Sequence, residues 1–344
     1  MQVVVHEAKP TVGWRFGRDL QGLENWSSSI DVLQELQSYN ISLDFDFFPA
    51  KEGTAFDAWG KAYSINTNKP LFYTIERGSE SSSFDHALLR NAQSLGVEVI
   101  FNSKINSVNG DAILATGPKQ ADAIAVGYQF ETSSPNGFWV ICDDNLAPKG
   151  YSYLLVMNGI GTVKSCQFQD FKRQNLYVER TLETFERLLN LDMRNMVKHG
   201  GAGNFYLTKS IFSGIHPVIG EQAGFQDTLW GFGIRYAIRS AVMAANNFVK
   251  GDNYQQQWQQ QLLPLQKASV VNRWIYSMLG NRGYRWALKR GSSTDAPTML
   301  AKLYHPSVFN KALYPLAKLW VNTKHESKGC HHLDCDCVWC KHQH

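Results

Sequence analysis

The sequence predicts an α/β fold in which a mixed, largely antiparallel sheet is combined with helices, the helices gathering toward the C-terminus. Three observations carry this. Residues 83–92 have helical spacing and run into the β-branched segment 97–101, an α-then-β unit. Residues from about 123 to 210 alternate with the period of two expected of strands with one face buried. Beyond them a glycine-rich turn opens into a long helix over 234–249. With 344 residues, 44% hydrophobic and 19% charged, the chain is long enough for two intimately packed domains.

Taken in order, residues 3–7 have the continuous β-branched character of a parallel strand buried on both faces. Segments 43–48 and 71–75 read as strands of a β-rich insertion, and the helix over 83–92 ends at Gly96. Residues 111–117 read as a buried strand that stops at a small-residue turn. Segments 137–142, 151–156 and 161–166 are expected to pair antiparallel, with one helix near 179–189 and a closing strand at 205–207. Helices continue to about residue 325.

Composition narrows the function classes. A net charge of +4, without a basic run or a base-stacking motif, gives no ground for nucleic acid as a partner. The first residues lack the cationic start of a signal peptide, and no apolar stretch is long enough to span a membrane, so a cytoplasmic location is expected. Four of the six cysteines crowd into residues 330–340 among histidines, more like a thiolate ligand set than a disulfide framework.

Five groups of residues point to chemistry. Glu7 closes the first strand, where a dinucleotide-binding unit places its ribose-binding carboxylate; by itself it reads more readily as a solvated strand end. The matching glycine loop belongs about twenty residues upstream, and only Met1 to His6 precede Glu7. The Ala115-Thr116-Gly117 turn allows close backbone approach to a flat cofactor, or is simply a tight turn. Most specific is the segment 220–237, with Gly220, Glu221, Gly224, Gly231, Gly233 and Ile234: glycine backbone, an acceptor for sugar hydroxyls and amides at a positive helix end. In the tail, Cys330, Cys335, Cys337 and Cys340 suit tetrahedral zinc, an iron–sulfur cluster, or reactive and paired thiols. The aromatic and basic stretch 272–290 fits either a helix seated at a membrane interface or one packed on the core with snorkelling cations.

In order and spacing, Glu7 with Gly13 and Arg15, the 115–117 turn and the 220–237 segment resemble the later flavin-binding segments of hydroxybenzoate-hydroxylase-fold proteins. The resemblance is nearest to the geranylgeranyl reductase branch and covers about residues 1–250. Pro148, Gly150, Tyr151 and Tyr153 resemble that branch's Pro-Gly-Tyr-x-Trp segment beside the flavin and prenyl tunnel, with Tyr for Trp and no Phe-Pro following. Arg77, ahead of Phe84 and Asp85, matches an arginine near the flavin, and Glu221 stands where the wider fold has Asp.

The resemblance implies an FAD-dependent oxidoreductase that passes hydride from NAD(P)H or another donor through flavin N5 to a hydrophobic, isoprenoid-like substrate. Monooxygenation and a non-catalytic relic that binds no FAD are the alternatives. It also implies an FAD-binding domain, N-terminally truncated, from residues 1–25, 76–122 and 205–255. Residues 26–75 and 123–204 then form a β-rich substrate domain, 256–325 a helical region and 326–344 the Cys/His tail.

Overall fold

The computed structural model describes residues 2–118, 121–203, 207, 210–292 and 295–325. The chain opens with β1 (Val4–His6), followed by β2 (Leu20–Glu24), the short helix α1 (Val32–Ser38) and β3 (Phe47–Ala50). β4 (Glu52–Asp57) and β5 (Ala62–Asn66) form a hairpin. β6 (Phe72–Glu76) then returns between β2 and β3 as the middle of a three-stranded antiparallel sheet. Ser83 starts α2 (Phe84–Ser94) by accepting from the His86 N–H, and Gly96 with φ of 81° ends it. β7 (Glu98–Ile100) follows and pairs in parallel with β1, Val4 opposite Glu98.

Two expectations are corrected here. β1 is exposed along its length rather than buried on both faces, because among the described residues its only ladder is with β7. Residues 111–117 are not a strand: Leu114 alone makes a parallel bridge, to Val218, and the chain turns away at Gly117 with φ of 89°. A single bridge does not hold the flanking residues extended.

The large sheet follows the alternation read from the sequence. β8 (Ala123–Glu131), β9 (Gly137–Cys142), β10 (Tyr151–Met157) and β11 (Ile160–Gln167) precede helix α3 (Gln174–Leu189), and β12 (Arg194–Gly203) comes after it. The strand order is β12-β8-β11-β10-β9-β4-β5, antiparallel except for the β4–β9 pair. Period two separates two faces. One carries Phe130, Ile141, Leu154 and Val163, which pack with Phe185 of α3 into a closed core. The other carries a row in which Val140 opposes Tyr153, Tyr153 opposes Lys164, and Lys164 and His199 both oppose Gly127. Of the closing strand expected at 205–207, residues 205 and 206 lie outside the described residues and Leu207 belongs to no regular element.

Helix α4 (Ile234–Lys250) turns Arg235 inward against Glu35 of α1, at 2.5 Å, so the N-terminal segment and α4 are locked together. α5 (Tyr254–Gln261) and α6 (Leu263–Gly291) follow, α6 bent at Gly280, whose backbone is not helical. α7 (Ala296–Tyr304) and α8 (Val308–His325) complete the helical end, with α8 packed on α6 through Leu313, Tyr314 and Ala317. The aromatic and basic stretch of α6 serves the core at its start: buried Arg273 lies 4.0 Å over the Phe168 ring and donates to the Leu229 carbonyl.

Candidate active site

A cavity of about 770 Å³ lies between the inward face of the large sheet, the β2–β6 pair and the start of α4. Phe138, Val140, Tyr153 and Leu155 form its sheet wall. At one end it reaches Ala115, Gly117, Gly220, Glu221, Gly233 and Ile234. Leu288 of α6 and Ala296, Met299 and Leu300 of α7 line its apolar part, where Leu288, Ala296 and Leu300 pack against the cluster that holds Phe72, Phe138 and Leu155. One space therefore connects the glycine-rich segment with an apolar chamber.

The glycine-rich end is built by local hydrogen bonds. The Ile219 N–H donates to the Leu114 carbonyl at 2.9 Å and the Thr116 N–H to Gln222 Oε1 at 2.7 Å, which holds the 115–117 turn beside residues 219–222. Asp227 organises the next loop: its carboxylate accepts from the Leu229 and Trp230 amides and from the Ser269 hydroxyl, at 3.0, 2.7 and 2.6 Å. Burial nevertheless pushes this carboxyl above its ordinary range. Gly233 is the N-cap of α4 and brings no side chain to its first-turn amides, so the wall there is bare backbone. Beside it Gln226 donates Nε2 to the Gly231 carbonyl at 2.8 Å, while its buried Oε1 has no hydrogen-bond partner.

Two arginines line the same end. A Cβ at Gly78 would sit 1.6 Å from the Gly17 carbonyl oxygen, and one at Gly13 would sit 2.5 Å from that of Gly78. This backbone-on-backbone packing brings Arg15 and Arg77 together on the Phe16 ring, their guanidinium carbons 4.6 and 4.1 Å from its centroid. Arg15 then reaches Glu221 at 2.9 Å, and Arg77 grips Asp85 through two hydrogen bonds of 2.7 and 2.8 Å.

The middle of the cavity wall holds a charged group that sequence reasoning missed. Lys164, fully buried, lies 3.1 Å from Asp19 Oδ1 and donates to His199 Nδ1. His199 donates from Nε2 to the Arg15 carbonyl at 3.0 Å; a carbonyl only accepts, which fixes the tautomer and leaves Nδ1 as acceptor. Gly127 stands between Lys164 and His199 in the strand row, so no side chain blocks the reach across β8. Burial alone would raise Asp19, but the Lys164 ammonium holds its carboxyl well below the usual range. The signal available in the sequence was Lys164 itself, the one charged residue of its strand.

Of the residues singled out from sequence, Arg15, Arg77, Ala115, Gly117, Gly220, Glu221, Gly231, Gly233, Ile234, Tyr151 and Tyr153 line this cavity. The side chain of Tyr151 donates to the Trp230 carbonyl, and burial keeps both tyrosines far above their ordinary range. Gly150, Thr116 and Gly224 are not among the lining residues; a Cβ at Gly150 would lie 1.7 Å from the Cys166 carbonyl oxygen. Glu7 is outside the cavity lining and accepts from the Lys9 amide at 2.8 Å, as a strand-end cap does. Cys330, Cys335, Cys337 and Cys340 lie outside the described residues, and among the described residues no His, Cys, Asp and Glu group is arranged to hold a metal.

This fold is similar to that of several solved proteins, flavin-dependent ones among them. A geranylgeranyl bacteriochlorophyll reductase-like protein from Thermoplasma acidophilum superposes with a TM-score of 0.65 at 18% identity, covering 94% of this chain and 93% of that one. A flavoprotein/dehydrogenase from Cytophaga hutchinsonii gives 0.60 at 13% identity, with 94% and 93% covered. A flavin-dependent halogenase from Xanthomonas campestris gives 0.57 at 10% identity, with 95% and 89% covered. No family model and none of the curated proteins matches the sequence. The likeness is one of fold.

Proposed function

We propose that the chain is an FAD-dependent oxidoreductase acting on a hydrophobic substrate, with isoprenoids as the class to which its resemblance to geranylgeranyl reductases points. The observation that carries this is the single cavity running from the glycine-rich start of α4 to a chamber walled by Phe138, Leu155, Leu288 and Met299. The residues present fit the ring end of a flavin: bare amides at Gly233 and Ile234, and an unpaired buried acceptor at Gln226 Oε1 suited to a ring N–H. Around β1 and β7 the fit is thinner, since Glu7, which accepts from the Lys9 amide, lies outside the cavity lining.

When bound, FAD would supply hydride transfer through N5, recharged by NAD(P)H or another donor. The amides at the start of α4 favour negative charge at the ring edge facing them. Glu221, oriented by Arg15, offers an acceptor to the ribityl hydroxyls. Tyr151 and Tyr153 stay neutral and wall the substrate side, while the apolar chamber excludes water from the reacting carbon. Lys164 and His199 keep ionisable protons within a few side chains of that chamber.

FAD titration followed by gel filtration tests the reading. Flavin absorbance that stays with the protein, is bleached anaerobically by NADPH and is lost with Gly233→Val is the expected result. Protein that emerges colourless, and that does not quench FAD fluorescence, would falsify it.

A further inference from the structure

Helix α8 has two apolar faces, and only one is packed. Leu313, Tyr314 and Ala317 meet Val270, Val271 and Trp274 of α6. On the other side Phe309, Leu316 and Leu319 are 60%, 53% and 62% exposed, with Ala312 exposed between them. Steps of three, four and three residues place these four on one stripe, which Val308 extends at the helix start. A continuous exposed apolar stripe of this kind marks an interaction surface.

Charge decides the partner. Lys311 and Lys318 are exposed along one flank of the stripe, and Lys302 is exposed on α7. From residue 296 to 325 the sequence contains no Asp or Glu, although the chain carries 30 of them. A second copy docked stripe to stripe would bring lysines against lysines. An anionic lipid surface matches both features, because its acyl boundary accepts the apolar side chains while the lysine stems run out to the headgroup phosphates.

We propose that α8 is an interfacial helix that docks the protein on an anionic membrane surface. Among the described residues no helix is long and apolar enough to cross a membrane, so the geometry is one of lying on the bilayer. The position of α7 gives the docking a use, and that use alone rests on the function proposed above. Ala296, Met299 and Leu300 line the cavity, and Leu303, on the same helical face, is exposed. The apolar face of α7 thus leads from the cavity toward the start of α8.

The test is co-sedimentation of the full chain with phosphatidylcholine vesicles with and without phosphatidylglycerol, at low and high salt. The expected result is salt-sensitive binding to the phosphatidylglycerol vesicles, reduced about tenfold or more by Leu316→Asp with Leu319→Asp. Lys311→Glu with Lys318→Glu should bring binding down to the level seen with phosphatidylcholine alone. All four positions are exposed, so circular dichroism melts should match the wild type. Failure of the wild type to bind overturns the proposal, as does binding unchanged in the leucine variant. Dimerisation abolished by the leucine variant, without vesicle binding, assigns the stripe to a second copy and also overturns it. FAD retention by the same preparations reports separately on the oxidoreductase reading.

Discussion

Among the described residues, two buried ionic clusters differ in how completely they are closed. In the first, Glu35 of α1 receives Arg235 at 2.8 and 2.5 Å and Arg239 at 2.6 and 2.9 Å, and Arg235 also donates to the Ile30 carbonyl. It lies outside the cavity and joins α1 to α4. In the second, Asp19, Lys164 and His199 line the cavity, and Asp19 Oδ1 faces the Lys164 ammonium while lacking a well-aligned hydrogen bond. A cluster whose oxygens are all used holds elements together. One that borders a cavity and is short of a donor keeps capacity to respond to what enters.

Substituting the arginine at the centre of the closed cluster breaks the comparison most severely. Arg235→Met leaves Glu35 with Arg239 and the Tyr39 hydroxyl, and Glu24, 3.8 Å from Arg235, without that partner, and should cost about 3–5 kcal/mol in urea unfolding. Lys164→Met should cost less, about 1–3 kcal/mol, because the adjoining cavity lets water reach Asp19. It should also shift the absorbance of bound flavin or substrate affinity, which Arg235→Met, in whatever folds, should leave alone. Equal stability losses with no ligand effect would remove the distinction.

Acid sharpens it further. The folded-state pKa values of Asp19 and Glu35 are both lowered by their cationic partners against the effect of burial. Each therefore contributes stability that is present above the unfolded carboxylate range, near pH 4, and is lost as pH falls below it. The stability gap between wild type and Asp19→Asn should be widest at neutral pH and close progressively below about pH 4. A gap that widens on acidification would contradict the assigned charge states.

The smallest effects are expected at the rim and at the buried thiols. Arg15→Ala removes a half-exposed pair and should change stability by less than about 1 kcal/mol while weakening FAD retention. Burial pushes the Cys142 and Cys166 thiols up to about 11 and about 12. Peptide mapping after iodoacetamide at pH 8 should therefore find both unmodified in native protein and modified after unfolding.

Much of the scaffold was legible before the structure. The alternation over 123–210 pointed to the antiparallel sheet, though β10 and β11 are buried on both faces, and Ser83 with Gly96 bounded α2. The segment 220–237 announced the turn and α4, because glycine at left-handed positions such as Gly220, Gly224 and Gly231 leaves a mark that composition shows. The exposure of β1 and the single bridge at Leu114 were not legible, since burial of an apolar run depends on which neighbours pair with it.

What the sequence determined by itself, then, is the set of local geometries: periods, caps, turns, and a lysine that is the one charged residue of its strand. The meeting of Asp19, Lys164 and His199, and of Arg15 with Glu221, was decided only by tertiary structure. The partners are far apart along the chain, and no local propensity records which strand lies beside which. Sheet order and backbone packing at Gly78 and Gly127 bring them within bonding distance, so the chemistry of the cavity follows from topology.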